Sequence, residues 1–307
     1  MLGPVTTNGY VDQFGYLPLS SGVDFDAGSI VPLGDVARLA IQLSAMRHPD
    51  GHVYPPFQRT MHHETGKRPR RVPHSERPAH LHGLPVSHAI RLDRAQPNAE
   101  AARYADAGFV MHFIGFLLGM RCQFHEWWID GRYWLEPDTD YRVPDAALLG
   151  RAISRAYERW CGWQERQRLV AINVLYLHSR AKTYENEWEL FQAEYQVIDA
   201  IFALARDSGQ LIKKVPHRTR LRHLCEHYSI PLDEKVIHTI VRLRNELLHE
   251  ALWDGRMPGE ARSRDSLMGS VWLHKLARRA MLAVLGLAGP YVQSAWWGMG
   301  QVIFRIR

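Results

Sequence analysis

Between Glu185 and Asp207 the chain carries two apolar stripes on one helical period. Trp188, Phe191, Tyr195, Ile198 and Phe202 recur at three- and four-residue steps, and Ala193, Val197, Ile201 and Leu204 form a second row. A helix with one stripe can rest on a surface, whereas two stripes need partners on two sides. This segment therefore demands a helical bundle built around it. Ser208-Gly209 supplies its expected stop, a C-cap pair.

The neighbouring sequence offers those partners. Pro144-Asp145 opens a helix to about Trp160, and Gln164 to Ala181 forms another. His217 to Tyr228 reads as a short amphipathic helix. Pro231-Leu232-Asp233 starts one that runs to about Trp253, and Asp265 to Leu287 is the last, closed by Gly289-Pro290. The tail after Trp296 can add a terminal strand. Residues 145–307 thus read as a helical domain, without internal repeats.

Residues 1–140 have a different texture, rich in Gly, Pro and His with short apolar runs. Ser29 to Leu33 and Val53-Tyr54 look like strands between turns. Glu100 to Leu118 has the length and apolar density of one buried helix, with Phe109, Phe113 and Phe116 at helical spacing. Within 123–135, Asp130-Gly131 separates Trp127-Trp128-Ile129 from Tyr133-Trp134-Leu135. That is the pattern of a hairpin whose turn needs positive φ. The fold class is α+β: a partly β N-terminal region, 1–140, followed by the α-helical bundle.

A chain of 307 residues allows one large domain or two moderate ones. The net charge of +6 and a pI near 9.3 favour polyanionic partners. Cys122, Cys161 and Cys225 are far apart and form no C-x-x-C pair, which fits a reducing cytoplasm. The N-terminus lacks a basic stretch followed by an apolar one, so no secretion signal is expected. Gly108 to Met120, the longest apolar stretch, is interrupted by His112 and too short to span a bilayer. A soluble, cytoplasmic chain without a membrane partner is expected.

One constellation carries chemistry. The helix from Asp233 reads V-R-L-R-N-E-L-L-H-E, with Val236, Ile237, Ile240, Leu243, Leu247 and Leu248 supplying its buried side. Asn245 and His249, four apart, share a face. Arg244 lies about 140° around an α-helix from His249, so only its long side chain, or a second subunit, brings the guanidinium close. A near-neutral imidazole can move the proton of a ribose 2′-hydroxyl or of a leaving oxygen. An arginine can stabilise charge building on phosphoryl oxygens. An asparagine can orient the imidazole or bond the phosphate.

Arg244-Asn245-x-x-x-His249 at the end of an amphipathic helix, after a long buried helix containing Asp199, resembles the HEPN superfamily over about residues 165–288. The resemblance implies a four-helix, HEPN-like bundle that dimerises with its motifs face to face. It also implies a metal-independent endoribonuclease, a toxin or antiviral effector, with RNA as substrate, no cofactor and no metal. His249 would be general acid/base, Arg244 the phosphate clamp and Asn245 the orienting group. An antitoxin or sensor partner, and a regulatory N-terminal region, fit that role. Lys213, Lys214, Arg218, Arg220 and Arg222 lie just before the motif helix, where an RNA backbone needs cations.

Other readings stay open. Arg and His also suit the negative end of a helix dipole. A HEPN chain can be a non-catalytic adaptor that binds RNA or nucleotide or only dimerises. A metal-dependent hydrolase could use the N-terminal histidines, since His62, His63, His74, His80, His82 and His88 cluster within 62–88. That segment lacks H-E-x-x-H and reads as a solvated basic loop. Asp199 either orients Arg244 or bonds the backbone, and Glu246 and Glu250 read as solvated.

Overall fold

The computed structural model describes residues 9–45, 47, 52–53, 61–62, 70–71, 84–94, 96–127, 133–184, 186–211, 215–260, 263–298 and 300–306. The class is α+β, with the sheet near the N-terminus and helices thereafter. Strands β1 (Tyr10–Gly15), β2 (Val23–Phe25) and β3 (Gly28–Pro32) precede helix α1 (Val36–Ser44). Short strands β4 (His52–Val53), β5 (Met61–His62) and β6 (Arg70–Arg71) lead to β7 (His88–Leu92). Helices α2 (Ala99–Arg103) and α3 (Asp106–Leu118) follow, then β8 (Gln123–Phe124), β9 (Tyr133–Trp134) and β10 (Tyr141–Arg142).

The main sheet is antiparallel in the order β2-β3-β7-β1-β8. Ile90 stands opposite Ile30 on one side and Asp12 on the other. Gly28 takes φ +155°, and a Cβ there would sit 1.9 Å from the Arg91 carbonyl oxygen, so this close approach of β3 to β7 needs glycine. The Asp130-Gly131 turn lies outside the described residues. Tyr133–Trp134, its expected second strand, pairs with His52–Val53.

The helix expected over Glu100 to Leu118 is two. The chain leaves helical geometry at Ala105, and Asp106 then accepts a hydrogen bond from the Tyr157 hydroxyl. All of α3 is buried. Phe109 stacks on Trp160 with ring centres 4.7 Å apart, which fastens α3 to the next helix.

That helix is α4 (Ala146–Cys161), capped by Asp145, whose carboxylate accepts from the Leu148 N–H at 2.6 Å. Next come α5 (Glu165–Arg180), α6 (Glu187–Asp207), α7 (His217–Tyr228), α8 (Glu234–Asn245) and α9 (Arg264–Val284). Gln164 with Gln167, and Asn186 with Glu189, form reciprocal caps on α5 and α6. The two stripes of α6 are used as expected, because α5, α7 and α9 all pack against it. Strand β11 (Val302–Ile303) comes from the tail and lies parallel to β10. Arg279 on α9 donates to Asp140 at 2.8 Å, and the Tyr291 hydroxyl donates to the same carboxylate at 2.5 Å, which locks that edge. Among the described residues, no helix is long and apolar enough to cross a membrane.

Candidate active site

Helix α8 places the motif. Asp233 caps it by accepting from the N–H groups of Lys235 and Val236. Val236, Ile237, Ile240 and Leu243 are buried, so the residue after Leu243 starts from a fixed position. Leu243 lies against Gly269 of α9, close enough that a Cβ there would meet its Cδ1 at 2.6 Å.

Beyond Asn245 the backbone opens into a π turn, Glu246–Glu250. Ala251 adopts φ +56°, and its N–H bonds the Glu246 carbonyl, five residues back. The turn is held from outside. Arg242 donates to Glu246 at 2.9 Å, to Asp254 at 3.0 Å and to Asp265 at 3.3 Å, while the Gly255 N–H donates to Glu246 at 3.1 Å. Glu246 is thus a fastening of this corner, not a solvated carboxylate.

The π turn changes the motif's geometry. In an α-helix, residues five apart diverge by about 140°; in a π turn they are brought one above the other. Arg244 Nη1 accordingly donates to His249 Nε2 at 2.9 Å and to Asn245 Oδ1 at 3.1 Å, all within one chain. Arginine has no acceptor and keeps its proton, so His249 Nε2 is the acceptor in this contact. Asn245 and His249 are exposed and Arg244 is half-buried. Arg244 Nε is buried without a partner among the described residues, and its guanidinium lies 5.6 Å from the centre of the Tyr195 ring.

A cleft of about 250 Å³ adjoins this group. Phe191, Tyr195 and Asp199 of α6 form one wall and Arg244, Leu247 and Leu248 the other, with Gln192 and Gln196 also lining it. Burial, followed by the Asp199 carboxylate, pushes the Tyr195 hydroxyl up. Asp199 accepts from Arg220 Nη1 at 2.6 Å.

The rest of the basic run is dispersed. Lys213 and Lys214 lie outside the described residues, as does the side chain of Arg218. Arg220 is tied to Asp199 and lies over Phe202. Arg222 grips both oxygens of Glu234, at 3.2 and 2.6 Å. Of the N-terminal histidines, His63, His74, His80 and His82 and the side chain of His62 lie outside the described residues. His88 is a core residue of β7: its Nδ1 meets Ser87 Oγ at 2.8 Å and its Nε2 donates to the Leu19 carbonyl at 3.0 Å.

Sequence reasoning passed over a second polar group. Glu194, fully buried in α6, accepts from His178 Nδ1 of α5 at 3.0 Å and from His274 Nδ1 of α9 at 2.7 Å. The two rings stack 4.0 Å apart. Burial drives His178 down to about 3. Burial would raise Glu194, but the two imidazoles outweigh it and hold its carboxyl at about 2. The donor atoms lie within 4.8 Å of one another, near enough for a metal ion. Arg278 argues for the hydrogen-bonded form, since its Nη2 donates to His274 Nε2 at 3.0 Å. A cation on Nδ1 would put the ring proton on Nε2, against that donor. The signal in the sequence was a glutamate inside an apolar helix, but its two partners lie 16 residues before it and 80 after.

A further cleft, about 550 Å³, is lined by Arg155, Arg159, Trp163, Ser208 and Gly286. The C-terminal ends of α4, α6 and α9 meet there. Their carbonyl ends carry partial negative charge, which the arginines offset and which disfavours a bound phosphate. No family model, curated protein or solved structure matches this chain.

Proposed function

We propose that this chain is a metal-independent endoribonuclease of the HEPN type, with Arg244, Asn245 and His249 as its catalytic group. The observation that carries the reading is the contact of Arg244 Nη1 with His249 Nε2 on an accessible helix end beside a cleft. His249 Nε2 turns its lone pair to Arg244 Nη1, and once that donor is drawn away it can serve as a base for a ribose 2′-hydroxyl. An incoming phosphate takes over the Arg244 donors and releases Nε2 for that proton. O2′ then attacks phosphorus, the P–O5′ bond breaks, and the departing O5′ takes up the proton that His249 gained, leaving a 2′,3′-cyclic phosphate and a neutral imidazole. Arg244 stabilises the equatorial oxygens as charge gathers on them, and Asn245 holds the guanidinium in place.

A cytoplasmic homodimer is part of the proposal, although the Arg244–His249 contact needs no second subunit. Leu243 and Trp253 need no second subunit to cover them, since both are buried within the protomer. Leu248, Met257 and Leu267 are the large apolar side chains left exposed around the motif corner. The role as toxin or antiviral effector, with an antitoxin or sensor partner and a regulatory N-terminal region, rests on the HEPN resemblance. Cleavage of single-stranded RNA in EDTA by wild type, Arg244→Ala and His249→Ala tests the reading: wild type should cut and both variants should not. Failure of wild type to cut any RNA would overturn it.

A further inference from the structure

Arg242 and Glu246 stand two residues to either side of Arg244 and bond each other at 2.9 Å. At about 100° per residue, Arg242 leaves the helix on the side away from Arg244. Its guanidinium goes to three carboxylates: Glu246, then Asp254 at 3.0 Å and Asp265 at 3.3 Å. Asp265 lies in the first turn of α9, so this one side chain ties the end of α8 to the start of α9.

The Asp254 end is a built piece as well. Asp254 and Gly255 both have positive φ, +54° and +72°, and the flanking Trp253 and Arg256 exchange backbone hydrogen bonds at 2.7 and 3.2 Å. That is the two-residue Asp-Gly turn of a tight hairpin. Trp253 is buried against Phe191, with ring centres 5.0 Å apart, which fixes where the hairpin stands. From there it offers a carboxylate to Arg242 and the Gly255 N–H to the second oxygen of Glu246 at 3.1 Å. The backbone between these fastenings has little support of its own. A π turn is rare, and Ala251 closes it at φ +56°, in a region that residues with a Cβ seldom adopt.

We infer that Arg242 is a positioning residue of the active site: through Glu246 and the Asp254–Gly255 hairpin it imposes the π turn, and the π turn brings Arg244 Nη1 to His249 Nε2. It touches no substrate. The inference rests on the ribonuclease reading for the reaction served, but the contact that Arg242 controls can be observed without RNA.

The test is the His249 imidazole signal in ¹H–¹⁵N correlation spectra, assigned by its loss in His249→Ala. Arg244→Ala gives its position when the contact is broken. Arg242→Ala should carry the signal at least halfway to that position, while the signals of the buried His88, His178 and His274 stay where they are. Arg242→Lys, with one ammonium facing three carboxylates, should fall between Arg242→Ala and wild type. Glu246→Gln keeps the side chain's shape, should move the signal the same way, and decides the matter if Arg242→Ala does not fold. In cleavage assays in EDTA, Arg242→Ala should lower kcat by about 10²-fold, the effect of a small misplacement, and leave KM nearly unchanged. A His249 signal that keeps its wild-type position in the folded variants would overturn the positioning role. Movement of the core histidine signals as well would make Arg242 a merely structural residue. The two readings fail separately. If wild type cuts no RNA, the nuclease falls and the His249 signal still decides the role of Arg242. If kcat falls while the His249 signal stays, the positioning role falls and the nuclease stands.

Discussion

Arg244 Nη1 stands 2.9 Å from His249 Nε2, five residues further along the same chain. An α-helical turn would have separated these side chains, and the π turn Glu246–Glu250 unites them. Because His249 is exposed and bonds Arg244 at the protein surface, its removal should cost the fold little. His249→Ala should lower RNA cleavage by about 10²–10⁴-fold, the usual worth of a positioned acid/base group, and leave the melting temperature nearly unchanged. A variant that cuts as fast as wild type would refute the catalytic role. One that melts much earlier would make His249 a structural residue.

The chemistry fixes the products. With the substrate's own 2′-hydroxyl as nucleophile and His249 Nε2 as base, the 5′ fragment should end in a 2′,3′-cyclic phosphate or its hydrolysis product. An all-DNA oligonucleotide should remain whole, since it has no 2′-hydroxyl. End-group analysis by mass spectrometry decides the matter: 3′-hydroxyl ends would point to attack by water instead.

The positions of the site were partly readable in advance. The stripes of α6, the Asp233 cap and the buried side of α8 as far as Leu243 are local patterns and appear as their residues suggest, whereas Leu247, half-buried, and Leu248, exposed, leave that buried side in the π turn. The π turn is not local. It depends on Arg242 reaching Asp254 and Asp265, and on Ala251 accepting φ +56°, none of which a helical period encodes. The cleft likewise needs α6 and the turn side by side. The break at Ala105 is not legible locally, because the partner of Asp106 beside it is Tyr157, 51 residues away.

Acid should weaken the fold, and the sign follows from two buried imidazoles. Burial lowers His178 to about 3; burial, aided by Arg121, lowers His112 to about 4. The unfolded chain takes up their protons near pH 6.5, so it binds more protons than the native state below that point. Stability is therefore full above about pH 6.5 and falls as pH drops, until about pH 4 for His112 and about pH 3 for His178. Each contributes about 1.4 kcal/mol per pH unit across its window. Glu194, held at about 2, acts in the same direction below its ordinary range near 4.5. Urea unfolding at pH 7, 5.5 and 4.5 should show this decline, and His178→Gln should make it shallower. An unchanged slope in that variant would mean that His178 is not buried neutral.

Gly269 offers a way to move the motif without touching it. A Cβ at this position would stand 2.6 Å from Leu243 Cδ1, so Gly269→Ala forces that side chain to shift and Gly269→Leu forces α8 away from α9. Overpacking of this kind costs about 1–3 kcal/mol. Cleavage should fall with the size of the new side chain, more steeply than the folded fraction measured by circular dichroism at the assay temperature. Activity that simply tracks the folded fraction would show that the position of α8 does not matter.

Mixing subunits separates two versions of the dimer. If each site borrowed Arg244 from one chain and His249 from the other, inactive Arg244→Ala and inactive His249→Ala chains would partly rescue each other. The structure has both groups joined within a single chain, so a mixed dimer still lacks one of the two at every site. No rescue is expected from refolded mixtures whose hybrid content is verified by two different tags. A companion measurement keeps the dimer itself in question. Leu248→Asp, on an exposed residue of the motif corner, should shift the chain toward monomer in analytical ultracentrifugation. Recovered activity in the hybrids would show that the contact seen within one chain is not the one used for cleavage, and would return the second subunit to the site.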